Sequence, residues 1–215
     1  MSKTIIFANG ISENPKANLK FIKPNDTIIC ADGGTLNALA LGLTPDLIVG
    51  DLDSLPGTTI AQMRRQGVEI QQHPVKKNET DLELALAAAT ARGAKEILIL
   101  TAFGGRIDQL LANVFLLTRP EWQSARLNLA EGRQQAWLMR GPDEITITGK
   151  SGDTLSLVAL SPSVRGIALL GVEWLLENTD IDLGSTLTIS NTFSTEQVTV
   201  RIASGLGLVV HIVNE

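Results

Sequence analysis

The chain has 215 residues, of which 44% are hydrophobic and 19% charged, and its 18 basic and 23 acidic residues give a formal net charge of −5. This length fits one large domain or two small ones, and this composition excludes a disordered, collagenous or coiled-coil chain. With one cysteine and two histidines, an intrachain disulfide and a Cys/His zinc cluster are excluded, so any bound metal must be held by oxygen. An acidic chain without a basic run gives no sign of a nucleic-acid surface, and we expect small-molecule chemistry.

No apolar run approaches the roughly 18 residues that a bilayer span needs. The first ten residues also turn polar too soon for a secretory signal. We therefore expect a cytoplasmic protein with no membrane partner.

The first part of the chain alternates short β-branched apolar runs with longer helical patterns, which is typical of βα units of a parallel sheet. Strands are predicted at Thr4–Ala8, Thr27–Ala31, Leu47–Val49, Val68–Gln72 and Ile97–Thr101. Helices are predicted near Thr35–Leu41, Thr58–Gln66, Thr80–Arg92 and Arg106–Arg119. The third helix is the clearest, because Thr80 can cap it, two acidic residues suit its N-terminal dipole and Gly93 stops it.

After about residue 124 the pattern changes to short alternating segments separated by Gly, Pro, Asn and Asp. Strands are predicted at Arg126–Ala130, Gln135–Met139, Glu144–Thr148, Thr154–Ala159, Gly166–Leu170, Thr186–Ser190, Gln197–Ile202 and Leu208–Ile212. Such spacing is typical of a small antiparallel sandwich or barrel. We therefore predict a Rossmann-like α/β domain over residues 1–132 and an all-β domain over residues 133–215. The whole excess of negative charge lies in residues 121–215, which hold 6 basic and 11 acidic residues.

Aspartates follow four successive predicted strands of the α/β part. They occur in the segments Asp32-Gly33-Gly34, Gly50-Asp51-Leu52-Asp53, Thr80-Asp81 and Gly104-Gly105-Arg106-Ile107-Asp108. Ligands of an open parallel sheet bind beyond the carboxyl ends of its strands, so these carboxylates should gather at one edge. Such a cluster repels itself unless a cation occupies it, and oxygen ligands suit Mg²⁺ with substrate phosphates. The pattern predicts phosphate transfer, although Asp and Gly at any single junction could simply cap a helix or form a turn.

Basic and amide side chains accompany these junctions. Arg106, Gln109 and Asn113 are spaced to share one face of the fourth helix, and Arg106 at its start suits a phosphate. Lys76 and Lys77, just before Thr80, could hold a phosphate as point charges or be ordinary solvated lysines.

Two motifs could mislead. Gly149-Lys150-Ser151 imitates the end of a phosphate-binding P-loop, but the first glycine of that pattern is absent and the segment lies among predicted strands. Asp51-Leu52-Asp53 resembles the aspartyl nucleophile motif of haloacid-dehalogenase-like phosphatases. That motif normally sits on the first strand of its domain and is followed by Thr or Val two residues after the second Asp, where this chain has Leu55.

Taken in order, the motifs resemble those of thiamine pyrophosphokinases across nearly the whole chain. The family's Asp-Gly-Gly is similar to residues 32–34, and its Pro-Asp-Leu-Ile-Val-Gly-Asp-Phe-Asp-Ser to residues 45–54, with Leu52 in place of Phe. Its Lys-Asp-x-Thr-Asp resembles residues 77–81, and its Gly-Gly-Arg-x-Asp-His resembles residues 104–109. In the β part, residues 171–175 and the pair Ser190-Asn191 resemble the family's Trp-containing and Ser-Asn motifs.

The resemblance implies Mg²⁺-dependent transfer of the pyrophosphoryl group of ATP to thiamine, in a homodimer with its site at the subunit interface. It implies metal binding by Asp51, Asp53 and Asp81, with Asp32, Arg106 and Asp108 completing the catalytic group. It implies contacts to ATP by Gly33, Gly34, Lys77, Thr80, Gly104, Gly105 and Arg106. It implies contacts to thiamine by Gln109, Asn113, Trp174, Ser190 and Asn191.

Two positions depart from the family pattern. Asn78 stands where the family often has Asp, and Gln109 where it often has His. Two alternatives therefore stay open: a pyrophosphokinase for another alcohol, such as a hydroxymethylpterin, and a non-catalytic sensor of nucleotide or thiamine.

Overall fold

The computed structural model describes residues 2–214, and the chain divides into two compact units, Met1–Gly132 and Arg133–Glu215. In this part of the chain no helix is long and apolar enough to span a bilayer.

The first unit is built on a six-stranded parallel sheet with the strand order β6-β5-β1-β2-β3-β4. Its strands are β1 (Thr4–Phe7), β2 (Thr27–Ala31), β3 (Leu47–Gly50), β4 (Glu69–Gln72), β5 (Glu96–Leu100) and β6 (Arg126–Glu131). Its helices are α1 (Gly34–Ala40), α2 (Gly57–Arg65), α3 (Asp81–Ala91) and α4 (Ile107–Leu116), with 3₁₀ helices at Pro15–Phe21 and Pro120–Trp122. The predicted α/β architecture is confirmed.

The central strands of this sheet are buried on both faces. Alternate residues of β2 point to opposite faces of the sheet. On one face, Ile28 and Cys30 belong to a core that also contains Ala38 of α1 and Met63 of α2. On the opposite face, α3 packs against β1, β2 and β3. Because both faces of these strands are covered, their sequences are unbroken apolar runs.

The start of α3 has the predicted cap. The Thr80 hydroxyl accepts a hydrogen bond from the Glu83 amide at 3.2 Å, and Asp81 lies in the first turn. Both features stabilise the positive N-terminal end of the helix.

The strands β1 to β4 follow one another toward one edge of the sheet, and β5 pairs with the other side of β1. The boundary between β1 and β5 is therefore the topological switch point, where ligands of open α/β sheets bind. The Gly10 amide donates to the Thr101 carbonyl at 2.9 Å, and the Thr101 hydroxyl donates to the Ala8 carbonyl at 2.6 Å. The Asn37 side chain of α1 donates to the carbonyls of Ala8 and Gly10 at 3.0 and 3.1 Å. The loop after β1 is therefore fixed from two sides.

The second unit contains two four-stranded antiparallel sheets, with the orders β12-β9-β14-β7 and β11-β10-β13-β8. The strands are β7 (Gln134–Arg140), β8 (Asp143–Thr148), β9 (Thr154–Ala159), β10 (Ser163–Leu170), β11 (Leu176–Asp182), β12 (Asn191–Thr192), β13 (Gln197–Ile202) and β14 (Leu206–Ile212). Apolar side chains from both sheets, such as Leu157 and Val209 from one and Ile167 and Val200 from the other, share one core. The predicted all-β architecture is confirmed.

Three details of the predicted strands are wrong. The strand predicted over residues 186–190 is absent there, and residues 187–190 form turns and bends, because Thr188 is buried and donates to the Leu157 carbonyl at 2.6 Å, while Leu187 and Ile189 are exposed. Strand β11 was not predicted, because its charged sequence buries Ile181 alone. Strand β6 was grouped with the antiparallel segments, but it pairs parallel to β5.

The segment that imitates a P-loop is a turn between β8 and β9. The Lys150 amide donates to the Asp153 carboxylate at 3.0 Å, and the same carboxylate lies 2.7 Å from His211 Nε2 in the interior. A Cβ at Gly149 would lie 2.8 Å from that carboxylate. The glycine and lysine of this motif therefore serve the packing of the sandwich.

The buried Cys30 thiol provides a probe of this fold. It lies in β2 with no exposed surface, and burial raises the pKa of the thiol. Because thiol reagents react with the thiolate, we expect native protein to be labelled at least about 10³-fold more slowly than chain unfolded in guanidinium. The measurement is the rate of reaction with a chromogenic disulfide, and equal rates in both states would contradict the burial of β2.

Candidate functional site

A cavity of about 550 Å³ lies at the carboxyl edge of the parallel sheet, in the first unit. Its walls come from the loops after β1, β2, β3 and β5, from the segment before α3 and from the start of α4. It is lined by residues 8–11, 31, 32, 51, 54, 75, 77, 79–82, 102, 104–106, 109 and 113. Ten predicted site residues are among them: Asp32, Asp51, Lys77, Thr80, Asp81, Gly104, Gly105, Arg106, Gln109 and Asn113.

Three carboxylates converge at this edge. One oxygen each from Asp32, Asp51 and Asp53 lies within 4.8 Å of the other two. The Asp32 side chain is 3% exposed, and its Oδ1 has no hydrogen-bond partner among residues 2–214. A buried carboxylate oxygen without a donor is costly, so the trio has the geometry and the unmet need of a cation site.

The backbone around these carboxylates is held in uncommon conformations. Asp32 and Leu52 have φ values of 42° and 67°, in the left-handed region that side-chain-bearing residues rarely adopt. Gly50 has φ 152°, and a Cβ there would lie 2.8 Å from Asp32 Cβ and 3.0 Å from Asp81 Oδ1. The fold thus accepts local strain where it directs carboxylates into the cavity.

Asp81 joins the group through a lysine. Lys77 Nζ lies 2.8 Å from Asp51 Oδ2 and 2.8 Å from Asp81 Oδ1. The hydrogen bond from Lys77 lowers the pKa of Asp51. Desolvation opposes the charged ammonium, yet the two carboxylates together raise the pKa of Lys77. Of the three aspartates predicted to bind metal, Asp51 and Asp53 belong to the convergent trio, and Asp81 is paired with Lys77.

Arg106 and Asp108 form a bidentate ion pair at the start of α4. Arg106 Nε lies 3.1 Å from Asp108 Oδ1, and Arg106 Nη2 lies 2.5 Å from Asp108 Oδ2. The guanidinium lowers the pKa of Asp108. Both side chains are more than 60% exposed, so the pair is weak and Arg106 can turn toward a ligand at little cost. Asp108 itself lies outside the cavity lining.

The two glycines of Asp32-Gly33-Gly34 act through packing. A Cβ at Gly34 would lie 2.1 Å from the Phe7 carbonyl, and one at Gly33 would lie 2.4 Å from the Asn9 side chain. Both residues are buried and neither lines the cavity. They allow α1 to begin directly against β1.

The predicted thiamine contacts of the second unit lie together where the bend that carries Trp174 meets the start of β12. Trp174 is 61% exposed. Asn191 is buried, and its side chain accepts from the Trp174 amide at 3.1 Å and donates to the Trp174 carbonyl at 2.8 Å. Ser190 is exposed with φ 60°. Asn191 therefore orients the indole-bearing residue, which is presented to solvent.

The loop after β1 was missed by sequence reasoning. Asn9, Gly10 and Ile11 line the cavity, and Asn9 lies against Gly33. No aspartate marks this junction, so the rule based on acidic junctions does not identify it. The signal that could have identified this loop is its position in the topology. Because β1 is the first strand of the α/β pattern, the loop after it lies at the switch point.

Comparison with known families gives two matches that follow one another along the chain. Residues 19–129 match the family model described as "Thiamin pyrophosphokinase, catalytic domain". Residues 143–206 match the one described as "Thiamin pyrophosphokinase, vitamin B1 binding domain". Together the two models cover most of the chain.

Individual proteins show the same similarity. The chain is 29% identical over 210 residues to thiamine pyrophosphokinase of Bacillus subtilis (strain 168), covering 97% of this chain and 98% of that protein. It is 27% identical to thiamine pyrophosphokinase 1 of Oryza sativa subsp. japonica, covering 84% of this chain and 76% of that protein. A crystal structure of thiamine pyrophosphokinase from Bacillus subtilis matches with a TM-score of 0.86 and 25% identity, over the full length of both chains.

Substitution of Gly50 by alanine tests the crowding around the carboxylates. The new methyl group would press on Asp32 and Asp81 in a strained backbone, so we expect Gly50→Ala to lower the free energy of unfolding by about 1–3 kcal/mol. Gly57→Ala is the matched control, because a Cβ there meets nothing within 4 Å and should leave stability nearly unchanged. Urea denaturation measures both, and equal stability of the two variants would contradict the described packing.

Proposed function

The chain belongs to the thiamine pyrophosphokinase family, and we propose that it transfers the pyrophosphoryl group of ATP to the hydroxyl of thiamine, giving thiamine diphosphate and AMP. The observation that carries this proposal is the convergence of carboxylates and basic side chains in one cavity, at the edge of the unit that matches the catalytic model. We propose that this unit binds ATP and that the β unit contributes to thiamine binding and to dimerisation.

The carboxylates fit Mg²⁺. Their oxygens are the hard ligands that this ion prefers, and Asp32 Oδ1 lies buried without a hydrogen-bond partner in the described chain. Asp32, Asp51 and Asp53 would hold the ion, with Asp81 beside them. When bound, Mg²⁺ supplies positive charge that offsets the charge of the triphosphate.

The basic residues of the cavity would hold the phosphates. Lys77 offers a point charge, Arg106 offers a planar fork at a helix start, and the Thr80 hydroxyl can donate while it still caps α3. Gly104 and Gly105, with φ values of 81° and 85°, let a phosphate approach the backbone after β5.

The chemistry then needs alignment and one proton acceptor. The thiamine hydroxyl oxygen attacks the β-phosphorus, the bond from that phosphorus to the oxygen bridging to the α-phosphate breaks, and AMP leaves with this oxygen. The hydroxyl proton passes to a carboxylate of the cavity. Gln109 and Asn113 line the cavity along α4 and would position thiamine.

The exposed indole of Trp174 suits the thiazolium cation of thiamine. A cation over an indole face gains about 0.5–2 kcal/mol, depending on how well water is excluded. A solvent-exposed Trp excludes little water by itself. We therefore propose a homodimer in which Trp174 and Ser190 meet thiamine held by the α/β unit of a second subunit, with Asn191 fixing the Trp174 backbone.

The direct test is product analysis with pure protein, ATP, Mg²⁺ and a panel of alcohols. We expect thiamine to yield AMP and thiamine diphosphate, with no ADP. Turnover of a hydroxymethylpterin in place of thiamine would identify a pyrophosphokinase for another alcohol. Binding of nucleotide or thiamine without any turnover would identify a sensor, a possibility that Asn78 and Gln109 raise.

Removing one carboxylate tests the metal site. We expect Asp51→Asn to lower kcat about 10²-fold or more, because it removes charge where Mg²⁺ would bind. Glu96→Gln, at the exposed start of β5, is the matched control and should keep wild-type turnover. Circular dichroism verifies that both variants fold, and unchanged turnover in Asp51→Asn would place the chemistry elsewhere.

A further inference from the structure

Lys77 occupies the centre of the acidic group. Its ammonium lies 2.8 Å from an oxygen of Asp51 and 2.8 Å from an oxygen of Asp81, and its side chain is 10% exposed. A strongly hydrated ammonium gives up water only where other charges replace it, and here two carboxylates do so. Its neighbour Lys76 is exposed.

The surrounding charge explains why a cation is held there. Asp32, Asp51 and Asp53 place oxygens within 4.8 Å of one another, and Asp81 approaches Asp32 across Gly50. Carboxylates this close repel each other unless positive charge lies among them. Without a metal ion, Lys77 supplies that charge.

The Asp51 carboxylate is engaged at both oxygens. Oδ2 accepts a hydrogen bond from Lys77 Nζ, and Oδ1 accepts one from the Asp53 amide at 3.3 Å. A divalent cation that binds Asp51 therefore approaches a carboxylate already neutralised by an ammonium. The two cations repel one another, and they compete for the same negative charge.

From this geometry we infer that Lys77 is the resident cation of the metal-free site and that it is displaced from Asp51 when a divalent cation binds. This inference rests on the proposed function and adds an order of events to it. The flexible four-carbon stem of Lys77 lets the ammonium move within the cavity, where a phosphate oxygen of the nucleotide can receive it. Metal binding thus frees Lys77 for phosphate, and phosphate binding draws Lys77 away from the metal ligand, so the two ligands favour each other.

A permanent ion pair is the competing interpretation. In that case Lys77 fixes Asp51 and Asp81 in the shape that the metal needs, and its removal weakens metal binding. Displacement requires the opposite sign, because removing Lys77 removes the competitor. The sign of the change in metal affinity therefore separates the two interpretations.

The test compares Lys77→Met with Lys76→Met in nucleotide-free protein. Mn²⁺ serves as the probe, and electron paramagnetic resonance of the free ion gives its dissociation constant. We expect Lys77→Met to bind Mn²⁺ on the order of tenfold more tightly than wild type, and Lys76→Met to change this constant less than twofold. In EDTA we expect a lower Tm for Lys77→Met than for Lys76→Met, and addition of Mn²⁺ should restore it.

Weaker Mn²⁺ binding in Lys77→Met, binding equal to that of Lys76→Met, or no Mn²⁺ binding by wild-type protein would each overturn displacement. Should Lys77→Met fail to fold, Lys77→Gln retains polarity without charge and carries the same expectations. These measurements use neither thiamine nor turnover. Product analysis tests the proposed function, whereas the Mn²⁺ constants and Tm values test displacement, so the two failures are distinguishable.

Discussion

Repulsion among carboxylates at one edge of a parallel sheet is the constraint that organises this molecule. The junctions after β2, β3 and β4 deliver Asp32, Asp51 and Asp81 to the same edge, and Asp32 and Leu52 adopt left-handed backbone conformations there. Lys77 balances part of that charge, and Asp32 keeps a buried oxygen without a partner in the described chain. Binding of a cation at such a site is favourable. A cation held there would in turn attract a negatively charged phosphate substrate.

The rest of the first unit supports this edge. Helices cover both faces of the sheet, and hydrogen bonds from Thr101 and Asn37 fix the loop after β1. The long basic side chains of the site differ in exposure, with Lys77 enclosed among the carboxylates and Arg106 exposed at the start of α4. The β unit presents Trp174 on a bend held by Asn191. The exposed indole is an apolar and electron-rich surface of the kind that attracts an organic cation.

Much of this could be predicted from sequence, because the signals were local. Burial on both faces gave continuous apolar strands, and a capping threonine marked α3. The failures arose where tertiary packing reversed a local pattern, as at Thr188, whose hydroxyl is buried while its apolar neighbours are exposed. At the site, the junction rule predicted the acidic edge, but the pairing of Lys77 with two aspartates and the contribution of Asn9 depend on three-dimensional proximity that spacing does not encode.

The proposed cation site at this edge consists of the carboxylates of Asp32, Asp51 and Asp53. The most direct measurement is anomalous diffraction at the manganese edge from crystals grown with Mn²⁺. We expect a peak within bonding distance of the carboxylates of Asp32, Asp51 and Asp53, and no such peak in Asp51→Asn crystals. A peak elsewhere in the molecule, with these three carboxylates unliganded, would contradict this expectation.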